Sequence, residues 1–187
     1  MWYYIKWTFW LVIVVIVGSF LHYTLPRNDV VRIVDTEVRR IDYGENSIFW
    51  ADSNTGEATG IPSRDVHFIN AKKSSGKDMV YRNEDTGWGW PPYFKFNTSN
   101  LHTRATDMRS TQENPKWVAI KRYGWRNQYF SIYPNAISVK PVEGPDVRII
   151  PWVSISILFV LGCLWLAIWS RWRKFRANRI DPLLDGE

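Results

Sequence analysis

Two long apolar runs, one near each end, constrain this chain more than anything between them. From Ile5 to Tyr23 the only charge is Lys6, and from Ile149 to Trp169 there is none. Each run is roughly 20 residues, which as a helix rising ~1.5 Å per residue spans about 30 Å, the hydrocarbon thickness of a bilayer. The expected organisation follows: residues 1–4 as a short cytoplasmic N-terminus, 5–24 and 149–170 as transmembrane helices, 25–148 as a water-soluble domain, and 171–187 as a basic cytoplasmic tail.

The charges flanking the spans orient the protein. Arg171, Arg173, Lys174, Arg176 and Arg179 follow the second run with no acid among them, whereas cations on the domain side are interleaved with Asp29, Asp35, Glu143 and Asp146. Cytoplasmic flanks collect Lys and Arg, so both termini are expected in the cytoplasm and the domain outside, in the periplasm of a bacterial host. Aromatic residues crowd the same ends: Trp2, Tyr3, Tyr4, Trp7 and Trp10 in the first run, Trp165, Trp169 and Trp172 in the second. Such rings settle at headgroup level. Tyr3, Trp7 and Trp10, like Trp165, Trp169 and Trp172, recur at i, i+4, i+7 and form a helical stripe suited either to that interface or to a packing face. A cleaved signal peptide is the alternative for the first run, with Val17 and Ser19 as a small-residue cleavage site, but the long apolar stretch and aromatic leader favour a retained anchor.

The net charge of +6 does not indicate nucleic-acid binding. Leu25 to Arg148 contains 18 Lys and Arg against 15 Asp and Glu, and the remaining excess lies where a basic segment meets anionic lipid. The single cysteine, Cys163, is in the second run, so the domain has no disulfide and depends on its core. Within it, strands are expected at Asp29–Asp42, Asp65–Ala71, Met79–Arg82, Lys116–Tyr123, Gln128–Tyr133 and Ala136–Val142, with a helix over Asn97–Asn114. Three strands, a helix and two or three more strands suit a small α+β barrel of the OB or SH3-like kind.

Chemistry is thinly signalled. The densest cluster runs from Arg82 to Phe96 and includes Glu84, Asp85, Trp88, Trp90 and Tyr93. Glycines and prolines fix ring directions in such a loop, which either presents Trp88 and Trp90 to a glycan, a lipid headgroup or a protein, or folds both inward to plug the barrel mouth. Glu84 and Asp85 are adjacent, so in extended chain they point apart and make a poor acid/base pair. Asp52–Glu57 resembles a calcium loop but has its glycine one residue early and no acid at the twelfth position. His22, His67 and His102 are scattered without metal spacing, and no nucleophile elbow, phosphate loop or cofactor motif is present. Lys121-Arg122-Tyr123-Gly124-Trp125-Arg126 interleaves cations with rings at an expected hairpin turn, suited to an anionic partner or to a solvated face.

Several strings are long and unusual: Leu21-His22-Tyr23-Thr24-Leu25-Pro26, Val31-Arg32-Ile33-Val34, Tyr81 to Thr86 leading into Gly87-Trp88-Gly89-Trp90-Pro91-Pro92-Tyr93-Phe94-Lys95-Phe96, Tyr123-Gly124-Trp125-Arg126, Phe130 to Ala136, and Lys140 to Gly144. On these the chain resembles, nearly end to end, a bacterial family catalogued as domain-of-unknown-function family 1523. The resemblance implies a Gram-negative inner-membrane protein with an outward domain, and brings no activity and no catalytic residue. The expectation is a non-enzymatic accessory, scaffolding or assembly subunit of an integral-membrane complex. Its partners are then the bilayer and other membrane proteins, with Trp88, Trp90, Tyr93, Trp125 and Arg126 as the contact surface. The alternative is a periplasmic enzyme or a glycan- or lipid-binding module at the envelope.

Overall fold

A computed structural model describes residues 2–42 and 63–180 of the 187-residue chain. The turn-rich stretch containing Asp52–Glu57 and the terminal residues from Asp181 onward lie outside the described residues. Contacts divide the chain into two units, 1–149 and 150–187.

The first unit begins with helix α1, Trp2–Thr24, and only Leu25 and Pro26 separate it from strand β1, Arg27–Asp42. Strands β2 (Ser63–Lys73) and β3 (Asp78–Asn83), helix α2 (Thr98–Asp107), and strands β4 (Trp117–Tyr123) and β5 (Asn135–Pro141) follow. The strands close into a barrel in the order β1-β2-β3-β5-β4, with β3 and β5 parallel and the other pairs antiparallel. Five strands with a helix between the third and fourth is the barrel the sequence led us to expect, in its OB-type order.

Closure depends on β1 being long enough to serve two neighbours. Residues 27–32 pair with β4, residues 31–42 pair with β2, and a bulge between Ile33 and Asp35 bends the strand from one to the other. Period-two alternation then turns Val31 and Ile33, Ile69 and Ala71, Met79 and Tyr81, and Val118 and Ile120 inward, where they form one core with Ala136 and Val139. Leu101 and Ala105, at i and i+4 on α2, complete that core, so this helix fills the barrel, and among the described residues no tryptophan joins it.

Two boundaries differ from expectation. The helix expected to reach Asn114 stops at Asp107, because β1 captures the chain that follows: Ser110 N–H donates to Ile33 O (3.1 Å) and Arg32 Nη1 donates to Ser110 O (2.6 Å). The strand expected over Gln128–Tyr133 is instead a tight loop. Asn127 and Ile132 exchange both backbone hydrogen bonds (3.1 and 2.9 Å), Ser131 adopts φ 51°, and the Asn127 side chain accepts from Phe130 N–H. Those contacts turn the backbone back on itself and leave no ladder to join.

The second unit is helix α3, Trp152–Phe175, continued by a π-helical turn over Arg176–Ile180. Both α1 and α3 are long and apolar enough to cross a membrane. As helices they run over residues 2–24 and 152–175.

Candidate functional site: the foot of the first helix

Chemically distinctive side chains concentrate where α1 enters the barrel. The last turn of α1 is bonded to the end of β4 and to the loop after β3. Tyr23 O accepts from Gly124 N–H (2.8 Å), and Thr24 O accepts the Tyr93 hydroxyl. Arg27 Nη2 donates to His22 O (3.0 Å). Tyr93 stacks on Tyr123 with centroids 5.0 Å apart, and the Trp125 ring meets Tyr23 edge-on at 5.3 Å. Trp125 Nε1 lies 2.8 Å from His22 Nδ1, and Arg27 Nη1 lies 2.9 Å from Nε2. A neutral imidazole accepts at only one nitrogen, so one of these donors bonds at a time.

Gly124 suits the junction by its backbone conformation. Its φ of 90° lies where side chains are rarely tolerated, although a Cβ there would sit at ordinary contact distance from Pro134 Cα (3.5 Å) and Tyr23 Cε2 (3.7 Å). The residue that follows β4 therefore also receives the helix.

Beneath this contact lies a buried polar network. Arg82 and Glu84 form an ion pair of 3.1 Å in which both side chains are at most 5% exposed. The Tyr23 and Tyr123 hydroxyls also hydrogen-bond the Arg82 guanidinium, whose pKa burial lowers despite them. Asn135 bridges the network: its Oδ1 accepts from Glu84 N–H (2.9 Å), and its Nδ2 donates to Glu84 O (3.0 Å) and to Tyr123 (3.1 Å). Lys95 donates to Asn83 Oδ1 (2.5 Å), Glu84 O (2.9 Å) and Thr98 Oγ1 (3.2 Å), which uses all three ammonium protons. Burial brings its pKa down to about 8. A second cluster ties four strands together through Asp29, which pairs with Arg122 and with Lys73 (3.2 Å) and accepts from Tyr81 (2.9 Å). Burial opposes ionisation of Asp29, but the Arg122 hydrogen bond and charge, helped by Lys73 and Tyr81, hold its carboxyl below the usual range.

The loop between β3 and α2 is pinned at its base. Gly87 N–H donates to Lys95 O (3.2 Å), and Lys95 N–H donates to Thr86 Oγ1 (3.2 Å). Its tip is aromatic and outward: Trp88 is 83% exposed, Trp90 64%, Phe94 54% and Phe96 59%. Trp88 touches Phe94 and Phe96, and Trp90 stacks on Phe20 of α1 with centroids 5.5 Å apart. The inward plug considered for Trp88 and Trp90 is therefore excluded, since Leu101 and Ala105 already occupy the core.

The candidate contact residues thus separate into two groups. Tyr93 and Trp125 are structural parts of the junction, and Arg126 braces the loop after β4: it donates to Asn127 O and Ile132 O (3.0 and 3.1 Å) and lies over the Tyr133 ring. Trp88 and Trp90 remain outward. Arg122 occupies no solvated face; it is buried on Asp29. Glu84 and Asp85 point apart as their adjacency implied, Glu84 into the buried ion pair and Asp85 to the surface, where it accepts from Thr98 N–H (3.0 Å). On the terminal helices Trp2, Trp7, Trp10, Trp165, Trp169 and Trp172 are exposed with Arg171, Arg173 and Lys174, and Arg173 lies 5.0 Å over the Trp169 ring.

His67 and His102, separate in sequence, have rings 4.4 Å apart, and burial together with His67 lowers the pKa of His102. Among the described residues no group of three potential metal-ligating side chains occurs.

Fold and junction define a class: a small five-stranded barrel built directly onto the end of an apolar helix long enough to cross a membrane. The chain belongs to the family described as "Protein of unknown function (DUF1523)", which matches residues 3–176. It is 41% identical over 151 residues to an uncharacterized protein of Haemophilus influenzae, covering 80% of this chain and 82% of that one. No solved structure matches. The strings that carry the resemblance, Leu21–Pro26, Tyr81–Phe96, Tyr123–Arg126 and Phe130–Ala136, supply the residues of the junction.

Proposed function

We propose that this is a two-span inner-membrane protein that holds its barrel in the periplasm, fixed against the membrane surface, and serves without catalysis as an accessory or assembly subunit of a larger membrane complex. The observation that carries this reading is the two-residue connection between α1 and β1, reinforced by Tyr23, Tyr93 and Gly124. A barrel joined in this way takes its height and tilt from the helix, which suits a part that must meet a membrane neighbour in one orientation. Excess cations after the second span favour cytoplasmic termini. The engagement of Glu84, Asp29 and Lys95 within buried networks weighs against the enzymatic alternative, which needs an acid or base open to substrate.

Purification of the tagged protein from its host in mild detergent, with Trp88→Ala and Trp125→Ala variants alongside, tests the proposal. A stoichiometric membrane partner in the wild-type preparation is expected. Isolation of the protein alone at every detergent strength rejects the accessory role.

A further inference from the structure

The sequence places an aromatic belt at only one end of α1, at Trp2, Trp7 and Trp10. At the other end the helix itself offers Phe20 and Tyr23. The fold brings Trp90 to Phe20 and Trp125 to Tyr23, so residues of the barrel surround the helix there. Phe20 precedes the last helical residue by four positions, about 6 Å along the axis. Counted from Ile5, it is about 22 Å along a slab of about 30 Å. The Trp90 ring therefore reaches back alongside the apolar part of the helix.

We infer that the loop from Thr86 to Phe96 is a membrane anchor that inserts Trp88, Trp90, Phe94 and Phe96 into the headgroup–acyl boundary of the leaflet on the barrel's side. This inference rests on the membrane-spanning reading of α1. Three further features fit it. Thr86 to Phe94 contains no charged residue. The four rings are all more than half exposed on a loop whose base is pinned, so they are held outward. Phe94 adopts φ 49°, a conformation unfavourable for a bulky side chain, and its exposed ring touches Trp88. The expected depth, about 5–10 Å below the headgroups, is that of interfacial aromatic anchors. With Trp125 and Tyr23 the loop supplies the second belt and sets the barrel down on the bilayer.

The test uses the full chain with Cys163→Ser, reconstituted into vesicles of phosphatidylethanolamine and phosphatidylglycerol. Single nitroxide labels are placed at Trp88→Cys, Phe96→Cys and, as a lipid reference, Val14→Cys in α1. Access of oxygen and of a water-soluble nickel complex is read by power saturation. Insertion predicts that labels 88 and 96 favour oxygen over nickel, as label 14 does. Nickel access at 88 and 96 with lipid-like behaviour at 14 overturns the anchor and leaves the span standing. Exclusion of both reagents means another copy of the chain covers the loop, which also overturns it. Nickel access at 14 removes the membrane reading itself, and this inference with it. Should Trp88→Cys fail to fold, Phe96→Cys carries the same comparison.

Discussion

Replacing Glu84 with glutamine separates a structural carboxylate from a catalytic one. In the folded protein its carboxylate is paired with Arg82, 3.1 Å away and equally buried. Glu84→Gln removes that charge and leaves the guanidinium dehydrated beside tyrosine hydroxyls and an amide. Removing one member of a buried ion pair costs about 3–5 kcal/mol, because the remaining charge loses its compensation. For a domain of this size each kcal/mol lowers the unfolding midpoint by roughly 3–5 °C, so a fall of about 10 °C or more is expected. The assay is thermal unfolding of the full chain in dodecyl maltoside, followed by the strand signal in circular dichroism. The Arg82→Met/Glu84→Leu double variant should regain most of the loss, since apolar replacement of a whole buried pair is often neutral. A Glu84→Gln protein that melts within a degree or two of wild type would refute the reasoning. If it had also lost cellular function, the carboxylate would have to be reassigned to chemistry.

Two further predictions concern the junction. Gly124→Ala is expected to cost about 1–2 kcal/mol, the price of a Cβ in a left-handed backbone, and to weaken the Tyr23–Gly124 bond, so that amide exchange at Gly124 accelerates with little change at Val118. Equal acceleration at both sites would contradict a local role. Lys95 should titrate near pH 8 by its side-chain carbon shift, against about 10.4 for a free lysine. Because its folded value lies below its unfolded one, the unfolded chain binds more protons between them, so Lys95 makes stability rise with pH across that window and leaves it flat below about 8. A midpoint near 10 would show that the ammonium is solvated.

The barrel was readable because its strands obey one periodicity. Val31 with Ile33 and Val118 with Ile120 alternate cleanly, and Leu101 with Ala105 marks the helix face that joins them. The extent of α2 was not readable, since the chain after Asp107 is set by a distant bond from Ser110 to Ile33. The Gln128–Tyr133 segment has strand-forming residues, and the Asn127 side chain with its neighbouring backbone overrides them. At the site, the sequence singled out Trp88 and Trp90 but left open whether they point outward or plug the barrel, and it did not supply Phe20, which lies 70 positions before Trp90. Lys95 and Asn135 were missed as neighbours of the Arg82–Glu84 pair because burial of a charge depends on which partners the fold delivers. Lys95 between Phe94 and Phe96 was the one local hint, an ammonium set among rings.

The most direct test of the account is the placement of barrel and tail on opposite sides of the membrane. In a Cys163→Ser background, Tyr129→Cys lies on a fully exposed barrel residue and Ala177→Cys lies within the basic cluster after the second span. A membrane-impermeant maleimide applied to cells with a permeabilised outer membrane should label position 129 and leave position 177 unlabelled until the inner membrane is broken. Labelling of 177 with protection of 129 would place the barrel in the cytoplasm and contradict the account.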